Sequence, residues 1–238
     1  MKALVFAAGL GERMRPLTDH TPKPLITAGG KPLIVWHLEK LAAIGVDEVV
    51  INTSWLADRF PATLGDGARW GLRLHYLHEG DTPLETGGGM LNARPLLGET
   101  PFLLVNGDIW TDFDFARLPR EPAGLAHLAL VDPPSFAPRG DFALDDAGTL
   151  HREGDYPRLT YAGLGIYRTA LLDDWQQHAA GQIRETANGK PRFPLLPLLH
   201  AGMASGRITG ERLPGRWTDV GTPERLAELE RELVDPAG

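Results

Sequence analysis

The chain has 238 residues, which suits one substantial domain and excludes several full-size ones. Its hydrophobic content of 42% supplies a core without staples, and the absence of Cys excludes disulfides, thiol catalysis and Cys-ligated zinc or iron–sulfur centres. Asp and Glu number 31 against 24 Lys and Arg, so the net charge of -7 argues against nonspecific binding to duplex nucleic acid while leaving room for a locally positive pocket.

Lys2 to Ala8 reads as a buried strand. The glycine-containing loop Gly9 to Arg15 bounds it, and charge arrives too early for a signal peptide. No apolar run reaches 18 residues, so a soluble cytoplasmic protein with neither membrane nor nucleic acid as partner is expected. Pro32 to Ile44 carries Leu33, Ile34, Trp36, Leu38, Leu41 and Ile44 at helical spacing, with Pro32 in the first turn and Gly45 as the stop. Val46 to Ile51 is a β-branched run. Strand, helix and strand in this order predict a βαβ unit, an α/β fold with a parallel sheet, and a ligand loop at the carboxyl end of the first strand.

Further along, the pattern predicts a helix over Trp55 to Thr63, a strand over Leu72 to Leu77, and a helix over Gly87 to Leu97 entered through three glycines. Phe102 to Val105 is an apolar strand that delivers Asn106, Gly107 and Asp108 at its end. Strands are expected at Leu125 to Val131 and Tyr161 to Tyr167, with a hairpin from Phe142 to Leu150 turning at Asp146, Ala147 and Gly148. Pro133 to Gly140 reads as an active-site or connecting loop. A helix over Leu195 to Met203, a strand over Arg207 to Leu213 and a terminal helix over Pro223 to Leu233 complete a single domain, 1–238.

The strongest local block is Ala7-Ala8-Gly9-Leu10-Gly11-Glu12-Arg13-Met14-Arg15-Pro16-Leu17-Thr18, followed by Thr21-Pro22-Lys23-Pro24-Leu25. Glycines allow close approach to a ligand and expose backbone donors, and Arg13, Arg15 and Lys23 can neutralise phosphate. The same residues could form a turn with solvated bases. Met14 breaks the G-x-G-x-x-G pattern, and the G-x-x-x-x-G-K-[ST] loop is absent. The eight histidines form no compact metal signature, Asp112 and Asp114 read as turn and helix-start groups, and the six tryptophans are dispersed.

This block, with Leu104-Val105-Asn106-Gly107-Asp108 and Trp217-Thr218-Asp219-Val220-Gly221-Thr222-Pro223, resembles the signature of sugar-1-phosphate nucleotidylyltransferases. The resemblance spans nearly the whole chain. It implies a Rossmann-like, GT-A-type fold with a mixed, mainly parallel sheet flanked by helices, and a Mg²⁺-dependent transfer between a nucleoside triphosphate and a sugar 1-phosphate. Within the family the chain is most similar to the group that uses UTP and N-acetylmuramic acid α-1-phosphate in cell-wall recycling. Leu150 to Thr160 lacks the Glu-Lys-Pro block of many hexose-phosphate enzymes, and Arg139 to Phe142 resembles a segment of the muramate group.

Carried over residue by residue, the resemblance implies Arg13, Lys23 and Asp108 as catalytic groups. Ala7, Ala8, Gly9, Gly11, Glu12, Arg13, Lys23, Glu79, Thr86 and Gly87 would surround the nucleotide. Asn106, Gly140, Ala162 and Gly163 would hold the sugar phosphate, and Asp108 and Asp219 the Mg²⁺. Glu79 could accept a hydrogen bond from uracil N3–H or from guanine donors, so another uridylyl- or guanylyltransferase stays open. A nucleotide-sugar-binding protein without turnover is the non-enzymatic alternative. Asp219 could instead cap the following helix. The chain ends soon after that helix, so a one-activity enzyme is expected.

Overall fold

The computed structural model describes residues 1–234, and residues 235–238 of the expected domain lie outside them. In chain order the first part comprises β1 (Lys2–Phe6), the two-residue strands β2 (Thr27–Ala28) and β3 (Lys31–Pro32), α1 (Leu33–Ala43), β4 (Glu48–Thr53), α2 (Arg59–Leu64), β5 (Arg73–His78), α3 (Glu85–Leu97) and β6 (Phe102–Asn106). There follow β7 (Ile109–Thr111), β8 (Ala126–Val131), the hairpin β9 (Phe142–Leu144) and β10 (Leu150–His151), and the long strand β11 (Arg158–Tyr167). The last part holds α4 (Trp175–His178), β12 (Arg184–Glu185), β13 (Pro191–Arg192), α5 (Leu196–Ala204), β14 (Ile208–Arg212), β15 (Trp217–Asp219) and α6 (Pro223–Val234).

The main sheet runs β5-β4-β1-β6-β11, with β11 also pairing β8 and β9. Strands β5, β4, β1 and β6 are mutually parallel, β11 is antiparallel to β6, and β14 runs parallel to β8. This is the mixed, mainly parallel α/β sheet expected. Strand β1 alternates between two cores: Ala3 and Val5 face the cluster that includes α1 and α2, whereas Leu4 faces the one built with α3 and α5. Burial on both faces is why its sequence reads as a continuous apolar run.

Strand β11 opens at Arg158, ahead of the expected Tyr161, β4 at Glu48, after the expected Val46, and two expected helices also begin elsewhere. The helix expected from Trp55 starts only at Arg59, because Leu56 takes a positive φ of 51° and the preceding residues turn. Trp55 instead donates from Nε1 to the Thr18 carbonyl at 2.9 Å, and Ser54 Oγ donates to the Gly80 carbonyl at 2.6 Å. Helix α3 begins two residues before the expected Gly87; Gly87 and Gly88 lie against Pro191–Pro194, where a Cβ on Gly87 would come within 2.5 Å of the Phe193 ring, and Gly89 lies against Glu79 and Asn52.

A third, smaller core joins Met14, Ile26, Ala28, Leu33, Trp110, Val220 and Leu229. It gathers the first loop, α1, α6 and an antiparallel ribbon in which β7 pairs with β15. This ribbon was not legible as an element in the sequence, yet it places Asp219 opposite Ile109, the neighbour of Asp108. Inside the first core, His37 of α1 braces the same ribbon. Its Nε2 lies 2.9 Å from the Ile109 carbonyl, its ring stacks on Phe115, and its Nδ1 has no partner.

Burial pulls the His37 imidazole from 6.5 down to about 4, opposed by its hydrogen bond to Ile109. Between those values the unfolded chain binds a proton that the folded chain does not, so this group makes stability rise with pH across that window. His37→Phe should therefore show a loss of stability between pH 7 and pH 4.5 that is smaller than the wild type's by about 2 kcal/mol, measured by urea denaturation.

Candidate active site

The register of the sheet builds the floor of the site. Phe6 pairs with Asn52 on one side and with Asn106 on the other, so three parallel strands end at one level. Above this edge opens a cavity of about 710 Å³ whose walls include the loop Ala7 to Met14, Lys23, Asn52, Glu79, Thr86, Asn106, Asp108, Arg192 and Gly221.

The first loop is held tightly at one end and open at the other. Gly11 adopts φ 65°, its carbonyl accepts from Thr18 Oγ1 and from the Met14 N–H at 2.8 Å each, and a Cβ there would come within 2.7 Å of Thr18 Cγ2. Met14 is fully buried, so the residue that breaks the dinucleotide pattern anchors the loop in the third core. Among the described residues, the N–H groups of Ala8, Gly9 and Leu10 have no intramolecular acceptor. They are free donors at the carboxyl end of β1, as an anion cradle requires.

The basic side chains divide by their partners. Arg15 is paired with Asp19 at 3.4 Å, whereas Arg13 is exposed and makes no ion pair among the described residues. Lys23 is buried, and its Nζ donates to Asp108 Oδ2 at 2.5 Å. The two came from sequence blocks 85 residues apart. This pairing leaves the remaining donors of Lys23 available to an anion in the cavity.

Asp219 lies beside this pair through the ribbon, with the Val220 N–H donating to the Asp108 carbonyl at 3.0 Å. Its Oδ2 accepts from Arg225 Nη1 at 3.0 Å, while Oδ1 is buried without a partner. Asp219 does not cap α6; that part falls to Thr222, whose Oγ1 faces the Arg225 N–H at 3.4 Å. Asp114 accepts from the Ala116 N–H and opens a local helical turn, as expected, whereas Asp112 accepts from the backbone N–H and guanidinium of Arg216, 104 residues away, and so holds a long-range contact and not a local turn. No group of three or more His, Asp or Glu among the described residues forms a metal cluster. Asp108 and Asp219 together offer a hard cation two carboxylates at most, and the orphaned Oδ1 of Asp219 is the donor such an ion lacks elsewhere; phosphate oxygens and water would complete its shell.

At the other end of the cavity, Glu79 is wholly buried. Its carboxylate accepts from Asn52 Nδ2 and the Leu84 N–H, both at 2.7 Å, and Asn52 Oδ1 accepts from the Ala7 N–H at 2.7 Å. Desolvation raises its pKa above the ordinary carboxylate value, against the pull of those donors. With both oxygens engaged, Glu79 braces the cavity wall and ties the first loop to the loop that precedes α3. Thr86 lines the cavity while its Oγ1 accepts from the Leu195 N–H at 2.9 Å. Gly87 lies behind the wall, packed on Phe193.

On the acceptor side, Asn106 lines the cavity, but Gly140, Ala162 and Gly163 are outside its lining. Gly163 borders it indirectly: at φ 72° in a bulge of β11, it leaves space that a Cβ would take from Asn106, within 2.7 Å of Nδ2. The Ala162 carbonyl accepts from Trp217 Nε1 at 2.8 Å, and Gly140 is pinned by Arg158, which donates to its carbonyl. Three contributors went unnoticed in the sequence. Asn52 directly follows the apolar run Val49 to Ile51 near the end of β4, which was a readable signal; Arg192 and Arg225 carry none.

The profile of the nucleotidyl transferase family matches residues 2–130. The chain belongs to that family. It is 43% identical to N-acetylmuramate alpha-1-phosphate uridylyltransferase of Neisseria meningitidis serogroup B, covering 97% of each chain. The protein of the same name from Caulobacter vibrioides is 33% identical, covering 98% of this chain and 97% of the relative. A mannose-1-phosphate guanylyltransferase of Mycobacterium tuberculosis is 31% identical, with 98% of this chain and 64% of the relative covered. In fold, a Bacillus anthracis structure described as a glucose-1-phosphate thymidylyltransferase superposes with a TM-score of 0.81 at 20% identity, covering 99% of this chain and 96% of its own. The last likeness concerns the fold alone.

The Asn52 and Glu79 pair yields a direct test. Asn52→Leu removes a donor from a buried carboxylate and an acceptor from Ala7, and should lower stability by about 2 kcal/mol in a denaturant titration. The double variant Asn52→Leu, Glu79→Gln should lose less than the sum of the two single changes, because both act on one network.

Proposed function

We propose that this nucleotidyl transferase moves UMP from UTP to N-acetylmuramic acid α-1-phosphate, releasing pyrophosphate and UDP-N-acetylmuramic acid for peptidoglycan recycling, and that residues 1–238 act as one catalytic unit. The observation that carries the chemistry is the meeting of the open donor loop, the unpaired Arg13 and the Lys23–Asp108 pair on one cavity wall. The Neisseria relative, matched end to end, supports the choice of substrates. No helix among the described residues is long and apolar enough to cross a membrane, and a small-molecule reaction needs neither membrane nor nucleic acid.

The acceptor phosphate already carries an anionic oxygen, so in-line attack on the α-phosphorus requires no protein nucleophile and no general base. Positioning and charge neutralisation provide the catalysis. The amides of Ala8, Gly9 and Leu10 hold phosphate oxygens, and Arg13 compensates the negative charge on the β and γ phosphates as pyrophosphate departs. Lys23, oriented by Asp108, directs its other protons at the reacting phosphate. Glu12 at the loop tip, the Glu79 bridge and Thr86 shape the nucleoside end. Asn106 offers both donor and acceptor to the acceptor phosphate or sugar, and the backbone at Gly140, Ala162 and Gly163 shapes the acceptor side. Asp108 and Asp219 would hold Mg²⁺, which, when bound, screens the repulsion between the two anionic substrates.

Arg13→Ala should lower kcat/KM for UTP by about 10- to 100-fold, and Asp108→Asn should lower kcat by roughly 100-fold or more, with circular dichroism unchanged. Both are read by a coupled pyrophosphate assay, and full turnover after complete chelation of divalent cations would defeat the metal assignment.

Specificity is tested by a matrix of UTP, GTP, CTP, ATP and dTTP against the 1-phosphates of N-acetylmuramic acid, glucose, mannose and N-acetylglucosamine. UTP with the muramic acid derivative should give the highest kcat/KM, by roughly 5- to 150-fold over each mismatched partner. Best turnover with GTP and mannose 1-phosphate would move the protein to the guanylyltransferase reading, and no turnover with any pair would leave a binding protein.

A further inference from the structure

We infer that Arg225 is a positioning residue for Asp219, and that Phe136 packs against its guanidinium, coupling the loop between β8 and β9 to the carboxylate that would hold the metal. The inference rests on the nucleotidyl-transfer reading above.

Arg225 sits in the first turn of α6, and its side chain is only 14% exposed. Nη1 donates to Asp219 Oδ2 at 3.0 Å. The guanidinium carbon lies 4.1 Å from the centroid of the Phe136 ring, within the range of a cation–π contact. Phe136 is 52% exposed at the tip of its loop, an unfavourable place for a phenyl ring, and the stack on Arg225 is the interaction that holds it there.

Gly221 makes the arrangement sterically possible. A Cβ at this position would lie 2.2 Å from Arg225 Nη2 and 2.5 Å from Asp219 Oδ1. The glycine of the Trp217 to Pro223 block is thus required by the guanidinium and the carboxylate that meet over it, and not by its own backbone angles. The consequence for Asp219 is a fixed rotamer. Its Oδ2 is tied to a planar cation, and its Oδ1 is buried with no donor, so the unpartnered oxygen is kept for an incoming cation and not turned to solvent.

Neither Arg225 nor Asp219 lines the cavity, whereas Gly221, against which both side chains lie, does, and this separates Arg225 from Arg13 and Lys23. Its effect on transfer is therefore exerted through the direction and charge of one carboxylate. The loop that carries Phe136 continues to Gly140, whose carbonyl is held by Arg158. A change in that loop on the acceptor side reaches Asp219 through the ring and the guanidinium.

The test uses the full chain and Mn²⁺ as the probe, titrated by electron paramagnetic resonance in the presence of UTP without acceptor. Arg225→Ala should weaken Mn²⁺ binding about 10-fold, the size of effect expected for a group that orients a ligand. It should lower kcat by a similar factor and leave KM for UTP within about 2-fold. Arg225→Lys should recover part of the Mn²⁺ affinity, and Phe136→Ala should weaken it by roughly 3-fold. Unchanged Mn²⁺ affinity in a folded Arg225→Ala protein overturns the inference, as does a lowered melting temperature with no change in Mn²⁺ binding. Should Arg225→Ala fail to fold, Arg225→Lys and Phe136→Ala decide the matter by the same titration, with unchanged affinity in both overturning it. Wild-type protein that binds Mn²⁺ and UTP but releases no pyrophosphate with any acceptor defeats the transfer reading alone, a result distinct from either failure above.

Discussion

The organisation of this molecule depends on the parallel pairing of β1 with both of its neighbours. Phe6 is aligned with Asn52 and with Asn106, so three chain reversals leave the sheet at one level and from one edge. Parallel strands require crossovers, and the crossovers bury both faces of β1. What remains exposed is the row of strand ends, and polar residues found there are free to serve a ligand. Asn52 and Asn106 occupy equivalent places on the two sides of Phe6 and have different duties: one ties the wall together through Ala7 and Glu79, the other faces the cavity beside Gly163.

A second constraint is electrostatic. The site assembles carboxylates in a chain that is already acidic, and four of them have an individual partner. Asp108 is met by buried Lys23, Asp219 by Arg225, Glu85 by Arg192, and the buried Glu79 by neutral donors. Among the described residues Arg13 has no acidic partner, which leaves free positive charge at the loop where phosphate would arrive. The net charge of the chain says little about this pocket, because local pairing decides the field that a bound anion meets.

The functional edge is also stiffened from below. The third core brings Met14, Trp110, Val220 and Leu229 into one cluster, joining the first loop to the ribbon and to α6. Met14 beside Arg13 and Val220 beside Asp219 are anchored in this cluster, and Ile109 beside Asp108 is anchored in the first core. Apolar anchors of this kind hold polar groups in place without engaging their hydrogen bonds.

From the sequence alone, the periodicity at Leu33 to Ile44, the apolar run at Lys2 to Ala8 and the polar residues after Phe102 to Val105 were enough to determine an α/β fold, with a ligand loop expected after the first strand. The long block from Gly9 to Leu25 carried the family. These signals are local: a helix stripe, a doubly buried strand and a glycine loop each leave a short-range pattern. The ribbon between Ile109–Thr111 and Trp217–Asp219, the pairing of Lys23 with Asp108, and the engagement of Glu79 by Asn52 join residues far apart in the chain, and no periodicity records them. Trp55 shows the same limit from the other side, since its helical pattern yielded to a turn at Leu56 that lets the indole reach Thr18. Sequence determined which groups were available at the edge of the sheet, whereas tertiary packing decided which of them were paired, which were buried, and which were left free to meet a substrate.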